Sequence, residues 1–450
     1  MASMVLVAIA AIASAAPVRS EDAVRSNYRG DLAAEVDRQV DAKTPEWLAF
    51  YRELHANPEL SLHEEKSAAR IAKRLSADGY QVTSGVGGHG VVGILSNGPG
   101  PTVLIRGDTD GLPVTEESGL PYASRVKVEG TAGGTVGVMH ACGHDVHQTC
   151  LVATAHLLAE TRERWSGTVM IIAQPAEEVG KGARMMIEDG LFERFVKPDY
   201  CLAQHVSASL PAGMVGHTAG WALANVDSVD ITIYGRGGHG SRPHQTIDPV
   251  VTAAHVIVAL QTIVSRRLDP LAPGVITVGS VHAGSKHNII SDDAKLELTV
   301  RSYTDESRKL LLDGIRDVTV NICRAMGCTR DPDIVVRDDE HTPSTYNHPE
   351  LAGAAVRVFN RVIGPENVIA VPQVMGGEDF GRYSKYLDVP GFMFWLGSVE
   401  TQAFEASKKV GGQPLPSLHS GKYAPDPEPT IRTGVRCMTA LALSLLDERK

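Results

Sequence analysis

The chain has 450 residues, of which 43% are hydrophobic and 21% charged, and a formal net charge of -10. That length exceeds one ordinary core and implies two or three domains, while the composition is that of a globular chain. The acidic balance excludes a nucleic-acid face, which requires clustered basic charge, and beyond the N-terminus no segment reads as long and apolar enough to span a bilayer.

Residues 4–13 form an apolar run that ends in Ser14-Ala15-Ala16-Pro17. Small residues there suit a signal-peptidase site, so residues 1–17 read as a removable export signal, although no Lys or Arg precedes the run. Residues 18–43 are polar without a clear apolar stripe and read as a leader. Thr44-Pro45 then suits a helix start, a capping hydroxyl followed by a proline whose missing N–H does no harm there. Trp47, Phe50, Tyr51 and Leu54 supply an apolar helical face, and a second helix follows from about 63 to 77.

Three apolar runs read as buried strands, at 102–105, 168–172 and 200–203, with helical stretches at 147–161 and 182–189 between them. Strands alternating with helices predict an α/β body, a mainly parallel sheet with helices on both faces. The texture changes near residue 226. From there to about 340 the pattern is β-α-β-β-α-β, expected to form an inserted ferredoxin-like α+β domain. The catalytic body is thus read as 44–225 and 341–450.

Ligands of parallel sheets sit beyond the carboxyl ends of the strands. After the first run come Asp108 and Asp110, after the second Glu177 and Glu178, and after the third His205. The stretch Met139-His140-Ala141-Cys142-Gly143-His144-Asp145 precedes a helix of the same sheet. Cys142 and His144, two residues apart, can point the same way from an extended segment, and both are good ligands for a borderline-soft divalent metal. A buried structural cysteine, a solvated acidic pair and a backbone-bonded His205 are the plain alternatives for these residues one at a time. Their delivery to one rim is what those alternatives leave unexplained. With His419 on a polar loop near the C-terminus, the candidates become Cys142, His144, Glu178, His205 and His419, enough for two neighbouring metals sharing a ligand. Glu177 is left as a general base.

Six cysteines show no disulfide framework; Cys323 and Cys328 are near enough in sequence to pair in an oxidising compartment, or to be buried thiols.

The motifs His140-Ala141-Cys142-Gly143-His144-Asp145, Gln174-Pro175-Ala176-Glu177-Glu178, Gly237-Gly238-His239-Gly240 and Gly377-Glu378-Asp379-Phe380 resemble those of the co-catalytic metallo-amidohydrolases. That group includes indole-acetyl-amino-acid hydrolases, hippurate hydrolases and N-acyl-amino-acid amidohydrolases. The likeness begins near Leu54-His55-Ala56-Asn57-Pro58-Glu59 and extends past His419. It implies two divalent ions, zinc or manganese, on the five candidate ligands. Cys142 would be the bridge, Glu177 the base, and Asp108 and Asp110 would orient ligands rather than bind. It also implies His239 as a donor to the developing oxyanion, Asn288 and Arg301 as a grip on a substrate carboxylate, and a homodimer through the inserted domain. The expected substrate is a small N-acyl amino acid or, alternatively, a short peptide. The Asn288-Ile289-Ile290-Ser291 stretch departs from the family's Asn-Val-Ile-Pro. A cysteine-nucleophile hydrolase on Cys142, indifferent to chelators, and a non-catalytic binding protein are the rivals from other classes.

Overall fold

The computed structural model describes residues 30–130 and 133–449, so the expected export signal and residues 18–29 of the expected leader lie outside the described residues. Helix α1 (Gly30–Ala56) corrects the reading of the rest of that leader and of the helix start at Thr44. Leu32, Val36 and Val40 are buried and extend the stripe of Trp47, Phe50, Tyr51 and Leu54 toward the N-terminus. A proline inside a helix costs about 3 kcal/mol, but three more buried aliphatic side chains contribute about 1.5–3 kcal/mol each. The stripe therefore carries the helix through Pro45, and the Thr44 hydroxyl donates to the Val40 carbonyl at 2.6 Å.

Helix α2 (Glu65–Ala77) follows, then strands β1 (Gln81–Val86), β2 (Gly90–Ser96) and β3 (Thr102–Asp108), helix α3 (His144–Glu160), strand β4 (Thr168–Gln174), helix α4 (Gly182–Glu188) and strands β5 (Tyr200–Pro211) and β6 (Val215–His217). Every residue of β3 is buried, the signature of a strand covered on both faces. The alternating strand β7 (Asn225–Tyr234) opens the second sheet. It is followed by helix α5 (Pro249–Thr262), strands β8 (Gly274–Ala283) and β9 (Asp293–Ser302), helix α6 (Asp305–Ala325) and strand β10 (Asp333–Val336). Helix α7 (Pro349–Ile363), strands β11 (Val368–Ala370) and β12 (Gly391–Val399) and helix α8 (Pro427–Leu445) are the principal elements of the C-terminal part.

The main sheet has eight strands in the order β1-β2-β4-β3-β5-β12-β6-β11. Its central neighbours β4, β3, β5 and β12 are parallel, and the β1-β2 hairpin adds to β4 antiparallel. Residues of α1, α2, α3, α7 and α8 fill the core on one face. Ala183 and Met186 of α4 pack with Phe192 and Tyr383 on the other. The second sheet, β8-β9-β7-β10, is antiparallel throughout. Val256, Leu260, Leu311 and Ile315 of α5 and α6 lie against it, which makes it ferredoxin-like.

Counted through a π turn to Arg267, the α5 segment is long and apolar enough to cross a membrane, contrary to the sequence reading. Thr252, Ala253, Val256 and Leu260 are buried, whereas Val250, Val251 and Val258 are exposed.

Candidate metal centre and active-site cavity

The rim of the main sheet gathers the chemistry. Strand β3 ends at Asp108, with Asp110 beyond it, and β4 ends at Gln174, three residues before Glu177. His205 is not past the end of its strand, as expected, but inside β5. The pairing of β5 with β3 ends at Ala203, and His205 continues in register with Trp395 of β12.

Cys142 and His144 do not share an extended segment. His144 opens α3, and Gly143 between them is left-handed with φ 74°. A Cβ on Gly143 would meet Val206 Cγ2 at 2.5 Å, so conformation and space both require glycine. The turn brings about the convergence that strand alternation was expected to supply. Two other turns are similarly unusual. Ala176, ahead of Glu177, has φ 54° and its N–H donates to buried Glu64 at 2.8 Å. His419 has φ 64° and its N–H donates to the Ala141 carbonyl at 2.9 Å. Non-glycine residues hold such conformations only where the surroundings impose them, often at functional sites.

The donor atoms of Cys142, His144 and His205 lie within 4.8 Å of one another, as do those of Cys142, Glu178 and His419. Cys142 belongs to both groups. Its Sγ is 3.5 Å from His205 Nε2 and 3.3 Å from His419 Nε2. His144 Nε2 lies 3.7 Å from Glu178 Oε1 and 3.9 Å from Glu177 Oε2.

Each imidazole is aimed by its other nitrogen or its backbone. His205 Nδ1 donates to the Val206 carbonyl at 2.7 Å, which turns Nε2 toward Cys142. His144 Nδ1 faces Asp110 Oδ1 at 3.3 Å. Asp110 is held in turn by the Ser61 hydroxyl (2.6 Å) and the Glu178 N–H (3.0 Å). His147 lies beside them, but its Nδ1 is bonded to Asp108 at 2.6 Å and its Nε2 accepts from the Val206 N–H at 2.9 Å. With both nitrogens engaged it has no lone pair left for a metal.

The residues fit divalent ions. His144 Nε2 and Glu178 Oε1 are buried without a hydrogen-bond partner, which is costly unless something else coordinates them. A thiol, three imidazoles and a carboxylate suit a borderline-soft metal. In the protein alone, burial raises the Cys142 thiol and takes Glu178 up to about 7. Burial also holds Glu177 well above the carboxylate range, reinforced by the charges of Glu378 and Glu178.

Beneath Glu177 lies a network that the sequence reading did not assign. Arg106 donates to Asp108 (2.6 Å), Glu378 (2.7 Å), Asp379 (2.9 Å) and Gln174 (3.0 Å), and all five residues are buried. The detectable signal was a lone arginine continuing an apolar strand, together with the Glu378-Asp379 pair. Cys142, Glu177, Glu178, His205 and His419 line a cavity of about 650 Å³ that also takes in Arg301 and Glu378. Arg301 Nη1 donates to the Met375 carbonyl at 3.0 Å.

His239 and Asn288 are not among the residues lining that cavity. Their segments pair on an exposed ribbon, where Gly238–His239 lies against Ile289–Ile290 and the Gly240 N–H donates to the Asn288 carbonyl at 2.9 Å.

A two-group metal centre at the carboxyl rim of a parallel sheet, with a spare carboxylate beside it, defines a metallohydrolase. The sequence matches the peptidase family M20/M25/M40 over residues 104–410. Thermostable carboxypeptidase 2 of Saccharolobus solfataricus is 36% identical over 92% of this chain and 98% of its own length. Hippurate hydrolase of Campylobacter jejuni is 37% identical over 74% of this chain and 83% of its own. Among solved structures, the Bacillus subtilis YXEP protein, a dinuclear metal binding peptidase from the M20 family, superimposes with a TM-score of 0.72. It is 29% identical, and the match covers 90% of this chain and 99% of that one. The chain belongs to the peptidase family M20/M25/M40, and it is a metal-dependent hydrolase of linear amide bonds.

Proposed function

We propose that the protein hydrolyses N-acyl amino acids, using two divalent ions and Glu177 as general base. The observation that carries this reading is Cys142 standing in both donor groups while the Glu177 carboxylate lies 3.9 Å from His144 in the same cavity. Cys142, His144, Glu178, His205 and His419 would hold the two divalent ions, which would supply Lewis-acid polarisation of a carbonyl and acidify water. Glu177 takes the proton of the attacking water and passes it to the leaving nitrogen as the amide C–N bond breaks. Arg301, the arginine lining the same cavity, pairs its planar donor fork with the free carboxylate of the amino-acid half.

Zinc is the ion this donor set favours, with manganese the second choice. We further propose export directed by residues 1–17, and a homodimer through the inserted domain that carries His239 and Asn288 toward the partner's site. The exposed valines of α5 support such an interface.

The deciding measurement is metal content by mass spectrometry, with hydrolysis of a panel of N-acyl amino acids and short peptides before and after chelation. About two ions per chain, and activity that chelation abolishes and metal restores, are expected. A metal-free protein that still cleaves would make Cys142 the nucleophile instead. Cleavage of peptides alone would favour the carboxypeptidase activity named in one relative.

A further inference from the structure

A second cavity, of about 730 Å³, adjoins the metal-side one and shares three of its lining residues, Val374, Trp395 and Leu418. Its remaining wall comes from the end of β5 (residues 206–210), from Val371 and Pro372, from Ser407, and from the loop around Leu415. Not one Asp, Glu, Lys, Arg or His is among those residues, whereas the metal-side cavity holds five carboxylates, Lys181, Arg301 and two histidines. Trp395 ties the two together. It sits between both cavities, and its ring meets the edge of the His205 imidazole with centroids 5.5 Å apart.

We infer that this uncharged cavity is the seat of the acyl group, and that it selects long, apolar acyl chains over acetyl and over charged ones. The inference rests on the hydrolase reading above. A carbonyl held beside Glu177 would extend its acyl substituent past Trp395, where a charged group would lose water and meet no opposite charge, only the hydroxyls of Ser207, Ser209, Ser407 and Ser417. An apolar chain gains with each methylene it seats, by about four-fold in affinity. The cavity's volume is in the range of sites that enclose a drug-sized ligand. Arg301 lines the metal-side cavity and not this one, so the two halves of the substrate meet opposite chemistries.

Leu415 is the position to test. It is half-buried on an irregular loop outside any helix or strand, it lines only the second cavity, and it takes no part in the metal centre. The experiment compares the metal-loaded wild type with Leu415→Asp and Leu415→Trp on N-acetyl, N-hexanoyl and N-decanoyl forms of one amino acid. Binding of free decanoate and thermal unfolding of each protein are measured alongside. Wild-type kcat/KM is expected to rise with chain length. Leu415→Asp should lower the decanoyl value and decanoate affinity by about ten-fold or more, leaving the acetyl value within about two-fold. Leu415→Trp, which only removes space, should penalise the decanoyl form more than the hexanoyl.

A flat acyl series in the wild type would overturn the inference while leaving the hydrolase reading intact. So would variants that lower all three substrates equally. If no N-acyl amino acid is cleaved but decanoate binds and Leu415→Asp abolishes that binding, the N-acyl amino acid reading fails and the cavity stands as a seat for an apolar chain.

Discussion

Glu177 and Glu178 are neighbours with different surroundings, and that difference divides their work. Glu178 reaches His419 at 3.5 Å and joins the donor set with Cys142, while its own N–H is bound by Asp110. Glu177 faces the Glu378 and Asp379 carboxylates, both of which accept from Arg106. Glu177→Gln should therefore keep its metal content and lose about 10²–10⁴-fold in turnover; a fully loaded, active variant would remove Glu177 from the base role. A second residue-scale prediction concerns His55 of α1. Burial opposes its charge, but hydrogen bonds with Asp145 (2.7 Å) and Glu116 (3.0 Å) prevail and take it up to about 10. A raised folded-state value means the stabilisation is fully present below the unfolded value, about 6.5, and is lost as pH rises through about 10. Thermal unfolding followed from pH 6.5 to 10 should show that decline in the wild type and a much shallower one in His55→Gln. The variant should also be about 3 kcal/mol less stable at neutral pH, having left two carboxylates without their cation.

Among the elements, α1 and α3 decide how the rim is supported. Helix α1 is amphipathic, with its buried stripe against α3 and α8. Helix α3 is buried on nearly all sides, its polar residues His144, Asp145, His147, Gln148 and Thr149 included, so it shows no single apolar stripe. If α1 before Thr44 is part of the core, Val36→Asp should cost about 3 kcal/mol or more in urea unfolding, because it buries a charge with no partner. A cost below about 1 kcal/mol, the range of a surface change, would return residues 30–43 to the role of leader. The same element scale explains the misreading of His205. Strand β5 changes partners midway, from β3 to β12 alone, and no local pattern marks that change.

At the scale of the whole molecule, the chain passes between its two largest sheets at Val226 and Thr342, whose backbones bond each other at 2.9 and 3.1 Å. Next to this crossing, Asp227 is fully buried and accepts from Arg308 of α6 at 2.6–3.0 Å. Burial raises the Asp227 carboxyl, but His341 and Arg308 outweigh it and hold it below its ordinary value. A depressed value means that this stabilisation is present above the unfolded value, about 3.9, and is lost as pH falls through the folded one. The two partners are not equivalent. Arg308 keeps contact with solvent, so Asp227→Asn should cost about 1–2 kcal/mol. Arg308→Ala leaves a buried carboxylate without its main partner and should cost about 3 kcal/mol. Equal costs in denaturant unfolding would count against that asymmetry.

Much of the site was legible because the types of residue are chemically restrictive. A thiol, imidazoles and carboxylates placed after apolar strand runs read as a metal rim whatever the loops between them do. The alternation of β7 and the β-α-β-β-α-β order likewise announce a half-exposed antiparallel sheet, since side-chain period and burial are linked locally. What the sequence could not hold was anything set by distance in space. The left-handed turn at Gly143 that makes Cys142 and His144 converge depends on Val206, and the strained His419 depends on the Ala141 carbonyl. The Arg106 network joins residues 272 positions apart. The uncharged cavity beside the metal centre exists only because β5, β12 and the loop around Leu415 are folded against one another. Ligand identity is a property of side-chain chemistry and is written along the chain; ligand direction and acyl selectivity are properties of packing, and only the tertiary structure decides them.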